Sequence, residues 1–144
     1  MIVLDTTILV YSVGSQHSLR NPCRELLELI RDGDVRATTT VQVVQEFAHV
    51  RAQRRPRREA ATRAKEFARG LSPLVHPNDD DLLSGLELFE VMDTLGPFDA
   101  VLAATVARRE WALASADRSF GDVPGIAHLN PSSSTFLDDA RAVG

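Results

Sequence analysis

The stretch that decides the fold lies at residues 2–9 and reads Ile2-Val3-Leu4-Asp5-Thr6-Thr7-Ile8-Leu9. Its first three residues form an unbroken apolar run, which is typical of a strand buried on both faces. The run stops at Asp5, and two threonines follow. Because ligands of open α/β sheets bind at the carboxyl ends of the strands, Asp5 is a candidate site residue.

Outward from this stretch, helical and β-prone segments alternate along the chain. Apolar spacing, caps and breakers predict helices over 6–13, 22–32, 41–55, 57–70, 79–92, 98–107 and 136–142, and short strands over 35–39, 73–77, 111–115 and 126–129. Such alternation favours a three-layer α/β/α sandwich around a mostly parallel sheet of four or five strands. No linker divides the chain, so we expect one domain over residues 1–144.

Composition narrows the class of protein. A chain of 144 residues is long enough to bury roughly two thirds of its unfolded surface without disulfides. Cys23 is the only cysteine, which excludes an internal disulfide and fits a reducing cytoplasm. No apolar run reaches the ~20 residues of a membrane span, and no basic region precedes a long hydrophobic one. We therefore expect a soluble, unexported protein with no membrane partner.

Four carboxylates stand out by their positions rather than by their number. Asp5 ends a strand and Glu46 lies inside a mostly apolar helix, whereas Asp99 enters a buried helix and Asp117 follows another strand. Each has an ordinary structural explanation when it is considered alone. The three aspartates fit helix caps or first-turn acids, and Glu46 fits the solvated side of its helix.

The joint pattern points to metal chemistry. The apolar surroundings of Asp5 and Asp99 place both side chains near the edge of the core. Gathered carboxylates raise one another's pKa unless cations neutralise them. Mg²⁺ and Mn²⁺ prefer oxygen ligands, and such a site can activate water against a phosphodiester.

Four segments, in this order, carry a resemblance to a known family. They read Ile-Val-Leu-Asp-Thr-Thr-Ile-Leu at 2–9, Val-Gln-Glu-Phe at 44–47, Phe-Asp-Ala-Val-Leu-Ala-Ala at 98–104 and Ser-Ala-Asp-Arg-Ser-Phe at 115–120. Together they make the chain similar to the PIN-domain ribonucleases, and within these to the VapC toxins of bacterial toxin–antitoxin pairs. The resemblance covers nearly the whole chain.

This resemblance implies a Mg²⁺- or Mn²⁺-dependent endoribonuclease with a VapB-type antitoxin as partner and a homodimeric state. The composition, rather than the resemblance, favours a cytoplasmic location. The family's acidic quartet corresponds to Asp5, Glu46, Asp99 and Asp117. Thr6 and Ser115 match positions where the family often has a hydroxyl near the metal, although Ser115 stands where a threonine is usual. Capping or bonding of local backbone is an equally good role for these two hydroxyls. Asp93 and Asp122 are left outside the quartet.

A basic arm follows the helix that bears Glu46. Residues 51–69 hold eight of the sixteen basic residues, against two glutamates. Arg51, Arg54, Arg55 and Arg58 have the spacing of one helical face, although Pro56 interrupts it. The arm is either a solubilising surface or a track that binds RNA phosphates.

Two further functions remain open. A non-catalytic PIN-like RNA-binding or scaffold protein would share the fold, although the presence of all four acids argues against it. A phosphatase with Asp5 as nucleophile would need a second acid where Thr7 stands.

The histidines do not predict a metal site. The pair Glu46 and His49 is half of a di-iron signature, but a second copy is absent. The other histidines lack metal-ligand spacing.

Overall fold

A computed structural model describes all residues from 1 to 144. In chain order, its elements are β1 Ile2–Leu4, α1 Thr6–Val13, α2 Arg20–Asp32, β2 Ala37–Thr38, α3 Val41–Ala52, α4 Arg57–Gly70, α5 Asp79–Val91, α6 Pro97–Ala107, β3 Ala112–Ala114, a 3₁₀ turn Arg118–Asp122, β4 Ala127–Leu129 and α7 Phe136–Val143. The strand order is β2-β1-β3-β4, and every pair is parallel.

The centre of the sheet is buried on both faces. Every residue of β1 and β3 is buried, and successive side chains of a strand point to opposite faces. Helices therefore cover the sheet from both sides, as the predicted three-layer sandwich requires. β1 lies between β2 and β3, so that Val3 is opposite Thr38 on one side and Leu113 on the other.

Two predicted helix boundaries and one predicted strand were wrong. α2 begins at Arg20, before Pro22, because proline is tolerated in the first turn, where backbone N–H groups have no helical partner. α3 ends at Ala52 rather than near Arg55. The segment 73–77 makes only an isolated bridge between Val75 and Thr40, so the sheet has four strands.

The α5–α6 pair is closely packed and ionically tied. A Cβ on Gly85 would lie 2.5 Å from the Cα of Val101, so only glycine allows this approach of the two helices. Asp81, which is 1% exposed, accepts two hydrogen bonds of 2.9 Å from the guanidinium of Arg109. Burial opposes ionisation of Asp81, but Arg109 and the Asn78 backbone outweigh it and hold its pKa below the ordinary value.

The α3–α4 pair forms the predicted arm. Phe47 and Phe67 meet edge to face with their ring centroids 4.9 Å apart. At the free end, Arg51 donates to both carboxylate oxygens of Glu59 and also to the backbone oxygen of Val13. The arm is thus fastened to α1.

No helix in the structure has both the length and the apolar character of a membrane span.

Candidate active site at the carboxyl edge of the sheet

Asp5 and Ser115 meet where the two central strands end. Each follows its strand directly, and the strands are parallel neighbours, so the two residues emerge at one edge of the sheet. The Oδ2 atom of Asp5 accepts hydrogen bonds of 2.7 Å from the hydroxyls of Ser115 and Thr7, and one of 3.3 Å from the Thr7 backbone N–H. Each hydrogen bond to this carboxylate reaches Oδ2, so Oδ1 is free to bind a ligand.

The same two hydroxyls fix the loop that carries Asp117. The Thr7 hydroxyl accepts from the backbone N–H of Ala116 at 2.9 Å, and the Ser115 hydroxyl accepts from that of Asp117 at 3.0 Å. Each hydroxyl thus donates to Asp5 and accepts from the loop. Thr7 was not among the predicted site residues, and the only signal for it was its position two residues after Asp5.

Asp99 lies in the first turn of α6, beyond the N-cap Gly96. Its pKa is raised to about 6, with burial as the largest cause. The negative charges of Asp5, Glu46 and Asp117 raise it further, whereas a hydrogen bond from the Gly96 backbone opposes the shift. The structure therefore brings all four predicted carboxylates within electrostatic reach of one another.

Glu46 faces the other acids from α3. Its Oε2 accepts a hydrogen bond from the hydroxyl of Thr6, which starts α1. Asp5, Glu46 and Asp99 line one cavity of about 570 Å³ between α3 and the α5–α6 pair. The two adjacent threonines thus hold different acids, since the hydroxyl of Thr6 bonds Glu46 and that of Thr7 bonds Asp5.

Two of the acids are also helix caps, as the structural explanation expected. Asp5 caps α1 through Oδ2, and Asp117 caps the 3₁₀ turn by accepting from the Ser119 N–H through Oδ1. Each cap uses one oxygen and leaves the other without a protein partner. Capping and ligand binding are therefore compatible at both residues.

The donor set suits a hard divalent cation. The side chains at this edge offer carboxylate and hydroxyl oxygens, the ligands that Mg²⁺ and Mn²⁺ prefer. No three acidic, histidine or cysteine side chains are placed so that they could hold a metal ion together. An open arrangement of like charges fits a cation held by few carboxylates together with water and phosphate oxygens.

The predicted arginine track is divided in the structure. Arg51 is engaged by Glu59, and its side chain is only 16% exposed. Arg54, Arg55 and Arg58 are exposed and take part in none of the ion pairs; they lie on the turn after α3 and at the start of α4.

Two histidines lie near the candidate site. His49 is on α3, where its ring contacts Gln53 at 3.2 Å. The Nε2 atom of His128 is 2.9 Å from the Ser115 backbone oxygen and so supports the loop from β4.

The sequence of this chain matches a known protein family and several of its members. Residues 2–126 match the PIN domain family. The chain is 46% identical over 136 residues to ribonuclease VapC7 of Mycobacterium tuberculosis, covering 91% of this chain and 92% of that ribonuclease. The chain belongs to the VapC-type PIN-domain family. A second relative, ribonuclease VapC13 of the same organism, is 33% identical over 131 residues, which cover 90% of this chain and 99% of the relative.

Solved structures support the PIN fold at low sequence identity. VapBC2 from Rickettsia felis, bound to a DNA fragment from its promoter, gives a TM-score of 0.70 at 18% identity and covers 90% of this chain and 98% of its own. FitAcB from Neisseria gonorrhoeae gives a TM-score of 0.69 at 16% identity, with 91% and 98% covered. The predicted family and fold class are confirmed.

Proposed function

We propose that this VapC-type PIN protein is a metal-dependent endoribonuclease and the toxin of a toxin–antitoxin pair. The observation that carries the metal dependence is the convergence of Asp5, Glu46 and Asp99 on one cavity. The charge of Asp117 also reaches this site, since it is one of the causes that raise the pKa of Asp99. Such a cluster binds a divalent cation readily, since the cation removes the repulsion. The relatives' description as ribonucleases supports RNA as the substrate.

Each acid has a separate task in this proposal. Asp5 would hold a cation through Oδ1, with Thr7 and Ser115 keeping its other oxygen in place. Asp99 and Asp117 would supply further oxygens. Glu46 would use Oε1 to hold a cation or to orient the attacking water, while Thr6 fixes Oε2. A divalent cation bound there would lower the pKa of water and neutralise charge on the phosphate.

Cleavage of single-stranded RNA by the purified protein with Mg²⁺ or Mn²⁺ tests the proposal. We expect Asp99→Asn and Glu46→Gln each to lower kcat/KM by about a hundredfold or more, as loss of one member of a catalytic constellation does. The matched control is Asp93→Asn, an exposed aspartate outside the quartet. Wild-type cleavage by folded Asp99→Asn would refute the site, and metal-independent RNA binding without cleavage would favour the non-catalytic alternative.

The exposed arginines of the arm would guide RNA to the site. Arg54, Arg55 and Arg58 are the candidates for phosphate contacts, whereas Arg51 is committed to Glu59. Replacing the three exposed arginines with alanine should flatten the dependence of RNA affinity on salt, by about one unit of log–log slope for each lost phosphate contact. An unchanged slope would return the arm to a solubilising role. Arg141→Ala, on α7, is the control.

Protein partners complete the proposal. Solved structures of the same fold include a VapBC complex, which supports a VapB-type antitoxin as partner. Leu83 and Val91 on α5 are 59% and 77% exposed, and a second copy of the chain would cover them in a homodimer. Leu83→Arg should convert the dimer to a monomer in a molar-mass measurement.

The activity would reside in the cytoplasm, where a buried, unpaired Cys23 is stable.

A further inference from the structure

Phe98 occupies an unusual position beside the candidate active site. It is the second residue of α6, it directly precedes Asp99, and 77% of it is exposed. Its ring borders the cavity that Asp5, Glu46 and Asp99 also line. Because most of this aromatic side chain is in solvent beside the carboxylates, its ring is available to a ligand that enters the cavity.

The α3 side of the cavity carries two uncharged amides beside Glu46. Gln42 and Gln45 lie on the face of α3 that carries Glu46, because positions 42, 45 and 46 are three and four residues apart. Both glutamines are exposed, both line the cavity, and neither amide has a hydrogen-bond partner in the protein. Each offers two donors and one acceptor oxygen. The cavity thus has a largely apolar lining, to which Leu82, Leu86 and Phe98 contribute, with two amides on its α3 side and carboxylates at one end.

We propose that this cavity is a base-binding subsite for an unpaired nucleotide next to the scissile phosphate. Phe98 stacks on the face of the base, and Gln42 and Gln45 hydrogen-bond to its edge. The inference rests on the proposed function, because the acidic end must hold the phosphate through cations. A volume of about 570 Å³ lies within the usual range of small-ligand sites. Recognition of unpaired bases in RNA relies on these two contacts, stacking and edge hydrogen bonds.

Steady-state cleavage of a short labelled single-stranded RNA with Mn²⁺ tests the stacking contact. Phe98→Ala is expected to raise KM about tenfold with little change in kcat, since stacking on one aromatic ring strengthens base binding by about that factor or more. Phe98→Trp should remain close to the wild type because it retains an aromatic face. The matched control is Phe89→Ala, which removes an exposed phenylalanine of α5 outside the cavity.

A competitor that lacks bases isolates the base from the phosphates. We expect a strand of ribose and phosphate alone to inhibit wild-type cleavage about tenfold more weakly than the same strand with bases. In Phe98→Ala the two strands should inhibit almost equally. The double substitution Gln42→Ala, Gln45→Ala should change the order of preference among the four bases in homopolymer competitors, because the amides read edges and the ring does not.

Three results would overturn the subsite. They are an unchanged KM in Phe98→Ala, equal inhibition of the wild type by both strands, and a loss of dimer mass in Phe98→Ala that assigns the ring to contact between copies. Failure of the proposed function has a different signature, because the wild type would then cleave no RNA. Cleavage by the wild type together with any of the three results refutes the subsite alone.

Discussion

Asparagine in place of Asp99 is expected to stabilise the metal-free protein while it abolishes cleavage. Burial and the charges of Asp5, Glu46 and Asp117 disfavour the ionised form of this carboxyl group. At neutral pH the folded chain must nevertheless carry that charge. The amide of asparagine has nearly the same shape but no charge, so the substitution relieves the repulsion.

The magnitude follows from the pKa shift. The pKa of Asp99 rises from 3.8 to about 6 on folding, which is about two units. At 1.36 kcal/mol per unit, ionised Asp99 destabilises the fold by up to about 3 kcal/mol. Asparagine also loses hydration on burial, so we expect a net gain of roughly 1–3 kcal/mol in the free energy of unfolding.

The effect of Asp99 on the free energy of unfolding depends on pH. Between pH 3.8 and about 6 the folded state holds a proton on Asp99 that the unfolded state has lost, so this group makes stability fall as pH rises through that window. In urea unfolding with EDTA, Asp99→Asn should be more stable than the wild type near neutral pH. The difference should vanish near pH 4, where the carboxyl group is protonated in the folded chain. Asp93→Asn should show neither effect.

Added Mn²⁺ should reverse the order of stability. A cation that binds only the folded protein raises its free energy of unfolding by RT ln(1 + [L]/Kd), and Asp99→Asn loses most of that gain. The reasoning is refuted if Asp99→Asn is no more stable than the wild type at neutral pH in EDTA. It is refuted equally if the gain persists unchanged at low pH.

Three further substitutions test other contacts. Thr7→Val should weaken Mn²⁺ binding by about tenfold or more in titration calorimetry, whereas Thr7→Ser, which keeps the hydroxyl on Asp5, should restore it. Arg109→Leu should lower the free energy of unfolding by about 1.5–3 kcal/mol in urea, because it removes two charged hydrogen bonds and leaves buried Asp81 with only Arg108 and the Asn78 N–H as partners. Gly85→Ala should reduce the melting temperature strongly in a thermal scan, because its Cβ would overlap the backbone of α6.

Each of these expectations has a result that contradicts it. Unchanged Mn²⁺ affinity in Thr7→Val would reduce that hydroxyl to a local backbone contact. The control is Thr105→Val, which removes the hydroxyl of a helical threonine that donates only to the Val101 backbone oxygen of its own helix. Wild-type stability of Arg109→Leu would mean that Arg108 alone satisfies Asp81. A stable Gly85→Ala would show that α5 and α6 separate easily.

The acids were predictable from sequence because each interrupts or opens an apolar segment. Asp5 ends a three-residue apolar run and Asp99 opens a buried helix, and such transitions mark the edge of a core. The division of roles between Thr6 and Thr7 was not predictable. The two hydroxyls are adjacent in the chain, and only the path of α1 past α3 and β3 decides which one meets Glu46 and which meets Asp5.

Long-range contacts explain the other misses. The pairing of Arg51 with Glu59 depends on the turn at 53–56, whose geometry the proline alone did not define. The segment 73–77 is β-prone, yet it bridges only at Thr40, beyond the short strand β2, and has no neighbour along most of its length. Strand pairing of this kind depends on the tertiary partner rather than on local propensity.

The hydrogen bond from Ser115 to Asp5 has a consequence for how the protein is made. It joins residues 110 positions apart, across strands that pair only after most of the chain is available. Contacts with such sequence separation form late in folding, since the loop between them must close first. During synthesis, Asp5 therefore has no hydrogen bond from Ser115 until that residue has been added to the chain. A nascent or truncated chain that ends before Ser115 would therefore lack the assembled site.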